Sequence, residues 1–218
     1  MIMAKYNVLY NPLAGNGKGE NAAKKLKELL NGDELTFTDM TKVSDYRALF
    51  ASMPEDERVI VSGGDGTLNR FINDTEEVAF ANPVYYYATG SGNDFLKDIG
   101  GNVGDKPVCI DKYLKALPTV DVKGKSYRFI NGIGYGIDGY CCEVGDKLRE
   151  TSDKPINYAG IAIKGLLFHY KPTSAVVTMD GKTHPYHHVW LAPTMNGRYF
   201  GGGMMAAPNP NRLNPEHT

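Results

Sequence analysis

The segment Ser62-Gly63-Gly64-Asp65-Gly66-Thr67 sets one carboxylate among glycines. It follows a β-branched run, Val59-Ile60-Val61, and precedes a helical apolar pattern of Leu68, Phe71 and Ile72. A strand feeding a glycine-rich turn and then a helix is a phosphate cradle. Glycines let backbone N–H groups approach an anion, and the helix N-terminus adds unpaired donors and the positive end of a dipole. A carboxylate beside a polyphosphate is repelled unless it holds a cation, takes a proton or meets a hydroxyl. Asp65 therefore implies phosphoryl transfer rather than nucleotide binding alone.

Two further segments carry similar chemistry: Asn11-Pro12-Leu13-Ala14-Gly15-Asn16-Gly17-Lys18-Gly19 and Thr89-Gly90-Ser91-Gly92-Asn93-Asp94-Phe95. Each follows a strand signal, and ligands of open parallel sheets bind beyond the carboxyl ends of the strands. The spacing Gly15-Asn16-Gly17-Lys18-Gly19 is neither a dinucleotide fingerprint nor a Walker loop, which needs Lys-Ser/Thr after its last glycine. Lys18 reads equally as a counter-charge to phosphate and as a solvated first-turn lysine.

The elements that must position these loops follow from periodicity. Residues 6–10 read as a strand, and Ala22, Ala23, Leu26, Leu29 and Leu30 share a helical face that Asn31-Gly32 ends. A second strand at 35–38 precedes a helix marked by Tyr46, Leu49, Phe50 and Met53. A third leads into Asp65, and a fourth at 83–88 leads into Ser91. Four strand–helix units in series predict an α/β domain over 1–117 with a doubly wound, mostly parallel sheet. From 118 the texture changes. Strands at 120–122, 127–130, 175–179 and 189–191, with turns at Lys123-Gly124 and Asp180-Gly181, predict a mainly antiparallel second domain over 118–218. The helical pattern over 156–170 is apolar nearly all round, so it is either deeply buried or facing something oily.

Composition bounds the partners. A net charge of −1 over 218 residues gives no global electrostatic case for nucleic acid. Cys109 and the adjacent pair Cys141-Cys142 make an odd count without framework spacing, which points to a reduced, cytoplasmic chain. The N-terminus resembles no signal peptide, and no apolar run reaches the roughly 18 residues of a spanning helix, so the expectation is a soluble protein or one peripheral to a membrane. His184, His187 and His188 alternate across a strand without an accompanying carboxylate or thiol cluster, and read as strand residues rather than a zinc site.

Asn11-Pro12 with Gly15, Gly63-Gly64-Asp65-Gly66-Thr67-Leu68-Asn69 and Gly90-Ser91-Gly92-Asn93-Asp94-Phe95 together resemble the diacylglycerol kinase catalytic domain family. The resemblance is to its bacterial soluble lipid kinases, related to sphingosine kinases. The Gly63–Thr67 segment alone is shared with NAD kinases; Ser91 to Phe95 favours the lipid branch. The likeness continues through Asn131-Gly132-Ile133-Gly134-Tyr135-Gly136-Ile137-Asp138 and Gly201-Gly202-Gly203-Met204. It implies a nucleotide-binding α/β domain and a β-sandwich, with ATP and a lipid meeting between them.

The resemblance places ATP phosphates against Asn11, Pro12, Leu13, Ala14 and Gly15, with Lys18, and against Gly63, Gly64, Asp65, Gly66, Thr67, Leu68 and Asn69. Ser91, Asn93 and Asp94 form the third loop, and Thr41 matches a nucleotide-contacting threonine after the second strand. Asp65 is expected to orient Mg²⁺ or to take the proton of the lipid hydroxyl. Bacterial relatives use a late acid, for which Glu216 is the loose match, and then continue into strands that return to the first domain. The sandwich is therefore expected to be incomplete here, with open edges that invite pairing with a second copy. The function implied is an ATP- and Mg²⁺-dependent lipid kinase acting at a membrane surface. An NAD kinase and a catalytically silent nucleotide or lipid binder are the alternatives.

Overall fold

The computed structural model describes residues 3–151 and 157–213, so Ile156 and Glu216 lie outside the described residues. By its contacts the chain forms two compact units: Met1–Asn131 with Met195–Thr218, and Gly132–Thr194.

The first unit is built on a five-stranded sheet of order β2-β1-β3-β4-β5. Its strands are β1 (Lys5–Tyr10), β2 (Glu34–Asp39), β3 (Arg58–Gly63), β4 (Val84–Ala88) and β5 (Val108–Cys109). The first four are parallel, with Val8 opposite Phe37 and Ile60, and Val61 opposite Tyr86. Strand β5 runs antiparallel to β4 at the edge, too short for its pattern to be read from sequence. Alternation along β1 and β3 sends Leu9, Val59 and Val61 to one face and Tyr6, Val8 and Ile60 to the other. Both faces are covered, which explains why the strands read as continuous apolar runs.

Helices α1 (Gly19–Lys24) and α2 (Leu26–Leu29) cover the second face with Ala23, Leu26 and Leu30. They form two short pieces meeting at Lys25, where the sequence pattern predicts a single helix. The first face is covered by α3 (Tyr46–Ala51), α4 (Asp65–Asp74) and α5 (Asp94–Asp98), whose Phe50, Leu68, Phe71 and Phe95 lie in one cluster. Asp45 caps α3 by accepting from the Ala48 N–H. The short helix α6 (Asp111–Leu114) follows β5, and then a hairpin of β6 (Thr119–Val122) and β7 (Lys125–Arg128). Asn69 and Asn73, one turn apart on α4, hold the strand leaving this hairpin. Asn73 donates to Arg128 O at 2.9 Å and accepts from Arg128 N at 2.9 Å, while Asn69 accepts from Ile130 N at 3.0 Å.

In the second unit, β8 (Gly132–Gly136) pairs with β11 (Leu191–Met195), and β9 (Thr173–Met179) forms an antiparallel hairpin with β10 (Lys182–Val189). Small antiparallel sheets therefore follow a parallel one, as the change of texture predicts. Between β8 and β9 lie α7 (Ile137–Thr151) and α8 (Tyr158–Lys164), the latter running into a wider turn at Gly165–His169. Helix α7 has no counterpart in the elements expected from the sequence. Asp138 lies in its first turn. Ile161 is buried, whereas Ile163, Leu166, Leu167 and Phe168 are exposed, Phe168 by 76%. Deep burial, one of the two expectations for this apolar stretch, therefore does not describe its second half. A register shift between Tyr186 and Val189, with His188 at φ 57°, breaks the alternation expected of the three histidines. No helix among the described residues is long and apolar enough to cross a membrane.

The first core makes a direct prediction. Phe71 is fully buried and meets Tyr46 and Phe50 edge-on, with centroids 6.1 and 6.5 Å away. Phe71→Ala should cost about 3–5 kcal/mol in urea unfolding.

Candidate functional site

The strand order changes direction between β1 and β3. The loops that follow these strands leave the carboxyl edge of the sheet on either side of that switch point, where ligands of open α/β sheets bind. After β1, Asn11 donates from its backbone to Ser62 O at 3.3 Å. Its side chain accepts from Leu13 N at 3.0 Å and donates to Thr67 Oγ1 at 3.2 Å. The first loop is thereby fastened to the start of α4. Gly15 and Asn16 both take left-handed dihedrals, with φ of 59°. Leu13 and Lys18 point to solvent.

After β3, Gly64 is the residue before α4, whose first N–H groups have no intrahelical acceptor. Thr67 is buried above Gly63, and the Leu68 side chain is fully buried in the core. After β4, Thr89 N donates to Gly63 O at 2.9 Å. Asn93, left-handed at φ 54°, clamps Gly90 through both of its backbone groups at 2.7 and 3.1 Å. A Cβ on Gly90 would lie 2.5 Å from Gly64 Cα, so the second and third loops touch backbone to backbone, which glycine alone permits. Ser91 is exposed at the tip. Thr41 stands further out, beyond β2, with its hydroxyl donating to Asp39 at 2.7 Å.

Asp65 ties these loops together. Its Oδ2 accepts from Asp94 N at 2.9 Å, and its Oδ1 accepts from Phe95 N at 2.9 Å and from Asn131 Nδ2 at 2.9 Å. A carboxylate has about four lone-pair positions, so one is left on Oδ2. A Cβ on Gly92 would lie 3.4 Å from that oxygen, and the missing side chain keeps the approach open. Tyr86, buried beneath, donates to Gly63 O at 3.1 Å. Burial first, and the Asp65 charge second, hold its hydroxyl well above its ordinary value.

Asp94 is the second carboxylate of the site and is itself buried. Its Oδ2 accepts from Gly202 N at 3.0 Å, which brings the Gly201-Gly202-Gly203 loop onto α5, and Lys97 Nζ donates to Gly203 O at 3.0 Å. Among the described residues its Oδ1 is buried with no hydrogen-bond partner. Burial raises the Asp94 carboxyl above its ordinary value and the neighbouring Asp65 charge adds to this, while the backbone N–H groups of Gly202 and Gly203 act on the carboxyl to lower it. A buried carboxylate oxygen with no donor, beside a second carboxylate, is a position that a proton or cation would complete.

Behind α5, Asp98 accepts from Arg198 Nε at 2.6 Å and from Arg212 Nε. Burial works to raise the Asp98 carboxyl, but the two guanidinium groups outweigh it and hold it below its ordinary value. Asn131, Asp98, Arg198 and Arg212 escape sequence reading as site residues because they lie far apart in the chain and belong to no shared local motif. Among the described residues no group of three or more His, Cys, Asp or Glu side chains is gathered to hold a metal ion without help from a ligand.

A switch-point site with three glycine-rich loops, two of them joined at one carboxylate and the first fastened beside them by Asn11, is the architecture of a phosphate-handling α/β protein. The family model for the diacylglycerol kinase catalytic domain matches residues 5–123, and the chain belongs to that family. It is 25% identical over 234 residues to a Bacillus subtilis protein named "Putative lipid kinase YtlR", covering 96% of this chain and 74% of that one. It is also 25% identical to a diacylglycerol kinase of Mycobacterium tuberculosis, covering 95% of this chain and 69% of the other. The crystal structure of "a putative diacylglycerol kinase" from Bacillus anthracis shares the fold, with a TM-score of 0.62 at 21% identity over 96% of this chain and 70% of that one.

Two predictions follow from the geometry. Gly90→Ala should lower stability by roughly 1–3 kcal/mol in chemical denaturation, because the added Cβ has to displace the Gly64 backbone. Asp98 has a lowered carboxyl pKa in the fold, so the stability it contributes is fully present above its ordinary value of 3.8 and is lost as pH falls below it. Urea titrations at pH 7 and pH 3 should show a smaller acid loss in Asp98→Asn than in the parent. At pH 7 that variant should be less stable by about 3–5 kcal/mol, since Arg212 is left buried without its counter-charge.

Proposed function

We propose that this protein is an ATP- and Mg²⁺-dependent lipid kinase, with the first unit binding the nucleotide and the second meeting the lipid. The observation that carries the reading is the buried Oδ1 of Asp94, unpartnered among the described residues, beside Asp65 where the second and third glycine-rich loops meet. The fit to a phosphate chain rests on the free N–H groups at the start of α4 and the backbone turn at Ala14–Gly17. Lys18, Thr41 and Ser91 are exposed and would meet the remaining phosphate and ribose oxygens.

The two carboxylates divide the work. Asp94 Oδ1 is the oxygen that would hold magnesium, an ion bound through one or two carboxylates with substrate phosphates completing its shell. A magnesium ion held there would supply charge neutralisation to the phosphate chain. The lipid hydroxyl oxygen forms the new bond to the γ-phosphorus as the bond to the β,γ-bridging oxygen breaks and ADP leaves. The hydroxyl proton passes to the remaining lone pair of Asp65 Oδ2, reached past Gly92. The exposed Leu166, Leu167 and Phe168 are the surface that would meet the acyl region of a lipid at the cytoplasmic face of a membrane.

Radiolabelled ATP offered with diacylglycerol, sphingosine and NAD tests this reading. Label should enter a lipid, and only with magnesium present. Asp94→Asn should lower kcat by about 10²–10³ while leaving the fold intact. Label in NAD alone would select an NAD kinase, and tight nucleotide binding with no transfer would select a silent binder. If Glu216→Gln abolished turnover while Asp65→Asn retained it, the proton would go to Glu216 and not to Asp65.

A further inference from the structure

We propose that Arg212 is a positioning residue of the phosphate site, acting through the side chain of Asn131 on Asp65. Arg212 is buried, and its guanidinium donates to Asp98 Oδ2, to Ile130 O and, at 2.7 Å, to Asn131 Oδ1. Asn131 in turn donates from Nδ2 to Asp65 Oδ1 at 2.9 Å. A guanidinium has only donors and a carboxylate only acceptors. An amide between them is satisfied in one orientation alone, with its oxygen on the arginine and its nitrogen on the aspartate. Without Arg212 the amide oxygen loses its donor, and the Asn131 side chain is held at one end, by Asp65, instead of at two.

The relay is separate from the packing around it. The backbone carbonyl of Asn131 accepts from Asn196 N at 2.8 Å and Gly197 N at 2.9 Å, and Asn196 Nδ2 donates to Ile130 O at 2.9 Å, so the main chain stays held without Arg212. Gly197 lies against the guanidinium, where a Cβ would overlap it, so the chain makes room for this one side chain. Asp98 keeps a second partner in Arg198. What Arg212 supplies is the donor that holds the oxygen end of the Asn131 amide. Through that amide it sets the Asp65 carboxylate that accepts from Asp94 N and Phe95 N.

Amide hydrogen exchange on the ligand-free protein tests the relay without reference to any substrate. In Arg212→Ala, the Asp94 and Phe95 amides should exchange roughly tenfold faster than in the parent, while the Val59–Val61 amides of β3 keep their protection. Arg212→Lys keeps the charge beside Asp98 but cannot span three acceptors, so it should not restore protection at Asp94 and Phe95. Asn131→Ala, which leaves the Arg212–Asp98 pair in place, should reproduce the effect, and adding Arg212→Ala to it should produce no further change. Unchanged protection at Asp94 and Phe95 in Arg212→Ala, or in Asn131→Ala should the first variant not fold, overturns the proposal. Mg·ATP affinity should fall about tenfold in the same variants, a consequence that rests on the kinase reading. Faster exchange with unaltered nucleotide affinity would uphold the relay and count against that reading.

Discussion

The Asp65 carboxylate accepting three N–H donors is the contact on which the first unit's site depends. Those donors come from the third loop and from Asn131, 29, 30 and 66 residues away in sequence. Hydrogen bonds to an ionised group are each worth about 1.5–3 kcal/mol. The three together fix where α5 begins, and so where Asp94 lies. Glycine follows from the same constraint. The loops can share one carboxylate only if their backbones approach to contact, as Gly64 and Gly90 do.

Fastening the loops in advance has a functional logic. On the proposed reading, a phosphate chain entering this site would meet donors already aimed at it, so little ordering would remain to oppose binding. The carboxylates are differentiated by their surroundings. Asp65 is engaged almost fully by N–H groups, whereas Asp94 has one oxygen bonded to Gly202 and one that, among the described residues, is left bare in a buried setting. Two acids of the same chemistry thus stand in different surroundings, which on the proposed reading suit them to different tasks. The Asp98–Arg198–Arg212 cluster lies one turn further along α5 and joins the segment after Met195 to the same helix.

The sheet was legible because its strands are covered on both faces and flanked by glycine-rich turns. Val59-Ile60-Val61 before Gly63 could hardly be anything else. The three loops and Asp65 were legible for the same reason, each being a local word in the chain. What escaped is either short or distant. Strand β5 is two residues long. Helix α7 repeats Ile137, Cys141, Val144 and Leu148 at helical spacing, but glycines on both sides of its start and within it hide the period. One of them, Gly145, lies where a Cβ would enter the Tyr158 ring. Arg198 and Arg212 reach Asp98 across 100 and 114 residues, and neither sits in a motif that announces a partner.

Scalar couplings transmitted through hydrogen bonds address the central contact most directly. In an isotope-labelled sample, long-range HNCO spectra should show correlations from the amide nitrogens of both Asp94 and Phe95 to the Asp65 side-chain carboxylate carbon, because each N–H donates to one of its oxygens. Their absence, with both amides exchanging as freely as solvent-exposed ones, would contradict the account of Asp65 as the group that joins the loops.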